Sequence, residues 1–274
     1  MSVRYTVLGS GSSGNASLLE IDGHGLLIDA GLGPRTIGGR LAKSGAEWER
    51  VQAAILTHTH TDHWRELTLA QFAHRDIPLY CHRSHANYLR GASDAFARME
   101  RAGLVRTYEL ETELVLFGFL RVNAFPISHD GGPTFGFRIE RDADLFHETW
   151  ALGYATDLGT WDDELLAILR DVNLLALEFN HDVDMERSSG RHPQHISRVL
   201  GDEGHLSNDQ AADLLRAILR ACSRERLQNV VQLHLSRQCN RPPLAEAAAE
   251  RVRSECRGEF RTLVAAQDAA LRVC

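Results

Sequence analysis

Residues 55–64 read ILTHTHTDHW, an apolar run that breaks into three histidines and an aspartate within six positions. A buried strand that ends in such side chains delivers them into a loop, where several can converge on one point. The preceding residues VQAAILT have strand character, and ELTLAQFAHR after the cluster has helical character, so the loop joins a strand to a helix. The i and i+2 imidazoles of His58 and His60 point the same way while the backbone stays extended, and Asp62 and His63 lead into the helix. Imidazole nitrogen with carboxylate oxygen suits zinc, and also iron or manganese. No cysteine lies nearby, which argues against a closed structural zinc knuckle. A solvated loop that happens to be rich in histidine is the competing reading, and the packing of this loop against an apolar strand disfavours it.

A real metal site needs further ligands from other strand ends, and the sequence supplies them. His129 ends LRVNAFPIS, Asp157 ends WALGYAT, His181 ends NLLALEFN, and His234 lies in NVVQLHLS. Open α/β architectures place their sites at the carboxyl ends of strands. One such histidine would be an ordinary hydrogen-bonded core residue. Several with the same placement favour a shared centre.

The remaining pattern is that of one layered α/β unit. Strands are expected at VRYTVLG, ASLLEI and GLLIDAG, with a turn at Asp22-Gly23, and later at LRVNAFPIS, TFGFRIE, WALGYATD, NLLALEFN and NVVQLHLS. Helices are expected over WDDELLAILRDV, over SNDQAADLLRAILRAC with Ser207 and Gln210 at capping-box spacing, and over LAEAAAERVRSEC. No linker or repeat divides the chain, so a single domain spanning 1–274 is expected. The glycines of GSGSSG, Gly9, Gly11 and Gly14, match the dinucleotide fingerprint. That fingerprint requires a helix to follow, whereas NASLLEIDGHGLLIDAG is strand, turn, strand, so a tight polar turn beside an active site is the better account. Ser10 and Ser12 of that turn are candidate substrate contacts.

Five cysteines with no C-x-x-C pair read as reduced thiols. No long apolar span and no basic-then-apolar leader is present, so a cytoplasmic protein without a membrane partner is expected. The net charge of -7 argues against a generally basic nucleic-acid coat. Local arginine groups remain, at Arg83, Arg90, Arg98, Arg101 and Arg106 and at Arg187, Arg191 and Arg198. Either group could neutralise phosphates, or form an ordinary ion-paired face with residues such as Asp94 and Glu100.

The motif T-H-T-H-T-D-H resembles the H-x-H-x-D-H signature of the metallo-β-lactamase-fold hydrolases. LGSGSSGN, LLIDAG, FPISHD, YATDLG, LEFNHDVDM, GHLSND and HLSRQCN are similar to the YycJ/WalJ (VicX) subfamily. The resemblance implies a four-layer αββα sandwich, two divalent metal ions per chain (zinc or manganese, with iron as an alternative), and 5′-to-3′ exodeoxyribonuclease activity. It places His58, His60 and His129 on one ion and Asp62, His63 and His234 on the second, with Asp157 bridging. Asp62 also counts among the catalytic residues, and Asp29 supports the histidine loop by hydrogen bonds. His181 and His205 resemble substrate-side histidines, with His205 the preferred proton donor to the leaving oxygen. His74, His82, His85 and His147 are surface or packing residues in this reading. The subfamily more often shows two asparagines where this chain has Cys239-Asn240, which puts one substrate contact in doubt.

Such a centre acts through a metal-bound hydroxide, and the fold alone does not choose its substrate. A secreted β-lactamase would need a leader, and a glyoxalase-type thioesterase a further substrate domain. Phosphodiester hydrolysis therefore leads, with DNA favoured over RNA. The alternatives are a small-molecule or cyclic phosphodiesterase and, outside the enzymes, a regulatory metal- or phosphate-binding protein. The oligomeric state stays open, a homodimer included.

Overall fold

The structure is a computed structural model that describes residues 1–110, 112–145, 148–223 and 226–274. His147 lies outside the described residues. The chain divides into two compact units, the first made of residues 1–112, 131–133 and 265–274, and the second of residues 113–130 and 134–264.

The first unit contains β1 (Val3–Gly9), β2 (Ala16–Ile21), β3 (His24–Ile28), α1 (Pro34–Lys43), β4 (Val51–Ile55), α2 (Glu66–His74), β5 (Leu79–His82), α3 (Arg83–Ala92), α4 (Asp94–Arg101) and β6 (Val105–Tyr108). In the second unit come β7 (Leu114–Leu116), β8 (Leu120–Ile127), β9 (Thr134–Arg141), β10 (Trp150–Ala155), α5 (Asp163–Leu169), β11 (Leu174–Glu178), α6 (Val183–Arg187), α7 (Pro193–Val199), α8 (Asn208–Ala221), β12 (Asn229–Leu233), α9 (Pro242–Glu255) and β13 (Arg261–Val264). The chain then returns to the first unit with β14 (Leu271–Arg272).

Each unit is built on one mixed sheet. Among the described residues, the first sheet runs β14-β1-β2-β3-β4-β5-β6 and the second β13-β12-β11-β10-β9-β8-β7. In the first, pairings are antiparallel from β14 to β3 and parallel from β3 to β6. The second repeats this plan, antiparallel from β7 to β10 and parallel from β10 to β13. Parallel strands need long crossovers, so their carboxyl ends open into the loops that carry function.

Local chemistry explains the expected elements. Asp22 and Gly23 take φ of 49° and 86° between β2 and β3, the two left-handed positions that a tight hairpin requires. Ser207 and Gln210 form the full capping box at the start of α8. The strand β2 follows the glycine turn directly, which excludes the dinucleotide-binding helix. One expected helix is shorter than its apolar pattern: α5 stops at Leu169, because Asp171 turns left-handed (φ 58°) and its carboxylate accepts from Ser223 N and Oγ, each at 2.9 Å. The segments left unassigned by the sequence pattern include α1, α3, α4, β5 and β6, which close the first unit's core around Leu41, Phe72, Leu89, Phe96 and Met99.

Candidate metal centre

In the first unit the site is built where β3 and β4 end. Asp29 follows β3 in the left-handed region (φ 63°) and is 1% exposed. Its Oδ1 accepts from Thr57 N at 2.9 Å, and its Oδ2 lies 2.8 Å from His63 Nδ1. Thr57 Oγ1 sits 3.0 Å from both Asp29 oxygens and 3.1 Å from His58 Nδ1. Burial raises the Asp29 carboxyl, while the His63 imidazole and the Thr57 donors oppose that rise. The histidine loop therefore rests on one buried acid. The rings of His58 and His60 are 4.8 Å apart, and those of His58 and His63 4.0 Å.

The glycine turn braces the same loop. Asn15 N donates to Asp62 O at 2.7 Å, and the Asn15 amide accepts from Gly11 N at 2.7 Å and stands 3.0 Å from His63 Nε2. A Cβ on Gly31 would lie 1.6 Å from Asp62 O, so glycine is what allows the two segments to touch. Ser10, 4% exposed, donates its backbone N–H to Ala266 O, and Ser12 is exposed.

In the second unit, His and carboxylate side chains leave the ends of β8, β10, β11 and β12. Asp157 and His234 both take left-handed backbone at φ 57°, a conformation that costs energy and concentrates at functional sites. Glu178, the last residue of β11, is fully buried. Its Oε1 lies 2.8 Å from His205 Nδ1 and 3.0 Å from His234 Nδ1, and its Oε2 accepts from Leu158 N and Leu206 N at 2.8 and 3.3 Å. Burial would raise this carboxyl, yet His205 and His234 outweigh it and bring it down to about 2. His129 Nδ1 faces Gly204 O at 3.1 Å, and burial lowers its imidazole.

These contacts fit a metal. An imidazole whose Nδ1–H is held by a carboxylate or carbonyl presents the Nε2 lone pair outward, the arrangement of metal-bound histidines. Asp157 Oδ1 stands 3.5 Å from His234 Nε2 and 3.9 Å from His129 Nε2. Such gaps exceed a good hydrogen bond. Two ligands each about 2 Å from one zinc stand roughly 3.3 Å apart at the tetrahedral angle. Donor atoms of Asp157, Glu178, His205 and His234 all lie within 4.8 Å of one another. Both oxygens of Glu178 are engaged by donors, so this carboxylate holds the His205 and His234 imidazoles in place.

Sequence reasoning did not assign Asn15, Thr57, Glu178 or Asn180. Asn180 Nδ2 donates to His234 O at 2.8 Å. The signal was present for Glu178, an acid ending the apolar run LLALE, where a buried carboxylate requires partners. His181 follows β11 three residues after Glu178 and is paired as a bridge with Ser207. Of the arginine groups, Arg83 pairs with Glu109, Arg90 with Glu100, Arg191 with Glu186 and Arg198 with Asp130. Arg101 and Arg106 donate to the carbonyls of Ala97 and Gly103. The ion-paired face thus accounts for most of them. Cys239 is fully buried, and burial raises its thiol, which leaves it a packing residue.

The fold and the donor chemistry define a metal-dependent hydrolase. The family described as "Beta-lactamase superfamily domain" matches residues 24–223. The exodeoxyribonuclease WalJ of Streptococcus pneumoniae serotype 2 (strain D39 / NCTC 7466) is 30% identical over 248 residues, covering 88% of this chain and 85% of the relative. The exodeoxyribonuclease YycJ of Bacillus anthracis is 27% identical over 261 residues, 93% and 90% of the two chains. Among solved structures, the metallo-β-lactamase-fold protein YhfI from Bacillus subtilis matches with a TM-score of 0.66 at 14% identity, over 99% of both chains. That likeness shows the fold, and the α/β class expected from the sequence is the class observed. The chain belongs to the metallo-β-lactamase-fold hydrolases and, within them, to the WalJ/YycJ group.

Proposed function

We propose that the chain is a phosphodiester hydrolase of DNA, acting as a 5′-to-3′ exodeoxyribonuclease and working as one domain over residues 1–274. The observation that carries this reading is the buried Glu178, which holds His205 and His234 by their Nδ1 atoms. It supplies one ligand and one proton carrier from a single fixed carboxylate. The names of the WalJ and YycJ relatives support DNA as the substrate.

The proposed ligand set is His58, His60, Asp62, His63, His129, Asp157 and His234, for two divalent ions. Divalent ions held there supply Lewis acidity to water and to a phosphoryl oxygen at neutral pH. The chain's own residues do the rest. Asp29 and Glu178 fix the tautomers of His63 and His234, so the Nε2 atoms that would hold the ions need no reorganisation during the reaction. His205, its side chain 13% exposed, is the most open group on Glu178. Held at Nδ1, it presents Nε2 to protonate the departing 3′ oxygen. A cytoplasmic location agrees with reduced cysteines, and no described helix is long and apolar enough to cross a membrane.

The test compares linear duplex DNA with a small phosphodiester under zinc, manganese and chelator. Metal-restored release of nucleotides from DNA supports the reading. Turnover of the small ester alone favours a small-molecule phosphodiesterase, and no turnover of either favours a binding protein.

A further inference from the structure

The last turn of α7 carries Arg198 to the second unit's part of the candidate centre. Its guanidinium grips Asp130 with two N–H groups, Nε on Oδ2 and Nη2 on Oδ1, the latter at 2.8 Å. Asp130 follows His129 in the chain, and the same Oδ1 stands 3.7 Å from His129 Nε2. One carboxylate oxygen thus links Arg198 to the imidazole nitrogen proposed to hold an ion.

Main-chain contacts keep this arrangement still. Asp130 N donates to Glu203 O at 3.0 Å, His129 Nδ1 faces Gly204 O at 3.1 Å, and His205 N donates to Val199 O at 3.0 Å. The loop that follows β8 and the segment from Arg198 to His205 are therefore stitched together. A Cβ on Gly204 would run into the carbonyl oxygens of Arg198 and Val199, so glycine is what lets α7 close on this segment.

A guanidinium carries five N–H donors in a planar fork. Asp130 takes two of them, and Nη1 has no hydrogen-bond partner among the described residues. The Arg198 side chain is 42% exposed, so the remaining donors are open to a ligand. Nη1 and the outer hydrogen of Nη2 form the second edge of the fork, which matches two oxygens of one phosphate. The bond to Asp130 raises the Arg198 pKa, and Asp157 acts in the same direction, so the positive charge is permanent. A cation that served only the carboxyl end of α7 would need charge alone. Here a bidentate carboxylate fixes the fork and leaves its second edge free, which is the preorganisation that tight binding requires.

We propose that Arg198 is a phosphate clamp: its Nε–Nη2 edge stays on Asp130 while its Nη1–Nη2 edge binds two oxygens of the phosphate that the centre hydrolyses. The inference rests on the phosphodiester-hydrolase reading and names a residue that touches the reacting group.

The test titrates thymidine 5′-monophosphate, and separately thymidine, into the zinc-loaded full chain. Binding is followed by calorimetry and through the guanidinium nitrogen NMR signals of Arg198, assigned by their loss in Arg198→Lys. The monophosphate should move those signals saturably, and thymidine should not. Arg198→Lys keeps a cation for Asp130 but has no fork. It should bind the monophosphate about 10- to 100-fold more weakly while holding zinc as tightly as the wild type. The proposal is overturned by Arg198 signals that ignore the monophosphate, or by wild-type binding in Arg198→Lys. A parallel loss of zinc affinity in that variant also overturns it, because Arg198 would then be a support for the His129 loop. Any of these in a chain that degrades DNA strikes the clamp alone. A responsive Arg198 in a chain that hydrolyses no DNA strikes the nuclease reading and leaves the clamp standing.

Discussion

Nδ1 of His205 lies 2.8 Å from Oε1 of Glu178, and the same oxygen lies 3.0 Å from Nδ1 of His234. One buried carboxylate thus sets the orientation of two imidazoles from different loops. Glutamine at this position keeps the shape but offers one acceptor oxygen where the carboxylate offers two. Glu178→Gln should lower metal affinity about 10- to 100-fold and reduce stability by about 1–3 kcal/mol. Calorimetric metal titration and urea denaturation read the two effects separately. Unchanged affinity would show that Glu178 does not orient a ligand.

His205 carries the proton in the proposed reaction. His205→Ala should slow hydrolysis of DNA by about 10²- to 10⁴-fold, because the departing alkoxide then leaves unprotonated. An ester with a nitrophenolate leaving group needs no such proton and should lose far less. Equal losses on both substrates would remove His205 from this role.

Gly31 and Asp62 touch because there is no side chain at position 31. A Cβ there would meet Asp62 O at 1.6 Å, and a backbone carbonyl cannot swing away as a side chain can. Gly31→Ala should cost about 2–4 kcal/mol of stability, read as a lower urea midpoint, and should weaken metal binding through displacement of the 57–65 loop. A variant with wild-type stability would mean that this contact is not close in solution.

His85 gives the fold a dependence on pH. It is 1% exposed, its Nε2 donates to Pro133 O at 2.7 Å, and burial lowers its pKa from 6.5 to about 4. Between those values the unfolded chain holds a proton that the folded chain refuses, so stability falls as pH drops from 6.5 to 4 and levels off below. The complete effect is at most about 3 kcal/mol. His85→Gln keeps a donor for Pro133 and removes the titration. Its stability should vary less than that of the wild type across this window, as measured by urea denaturation at a series of pH values. Parallel curves would contradict the assignment.

Much of this architecture was legible because strand ends and ligand types coincide in the sequence. His58, His129, Asp157 and His234 each close an apolar run, and the structure places each at a strand's carboxyl end. The hairpin at Asp22-Gly23 and the capping box at Ser207 were legible because both are local chemistry. Glu178 and Asn15 escaped notice because their roles depend on partners 27 and 47 residues away, which no local pattern encodes. The left-handed turns at Asp29, Asp157 and His234 were equally hidden. Only the folded chain shows that these residues hold a costly left-handed backbone conformation. The segment with α3 and α4 escaped for the opposite reason, since its helices are short and change direction at Ser93, where one helix ends and the next is capped.

The central claim is hydrolysis of DNA from one end by residues that hold divalent ions. Its most direct measurement incubates the metal-loaded protein with linear duplex DNA labelled at either the 5′ or the 3′ end, alongside Asp157→Ala. The account predicts immediate release of the 5′ label as mononucleotide, gradual shortening of the 3′-labelled strand, and neither in the variant. Cleavage at internal positions, release from the 3′ end first, or equal activity in Asp157→Ala would contradict it.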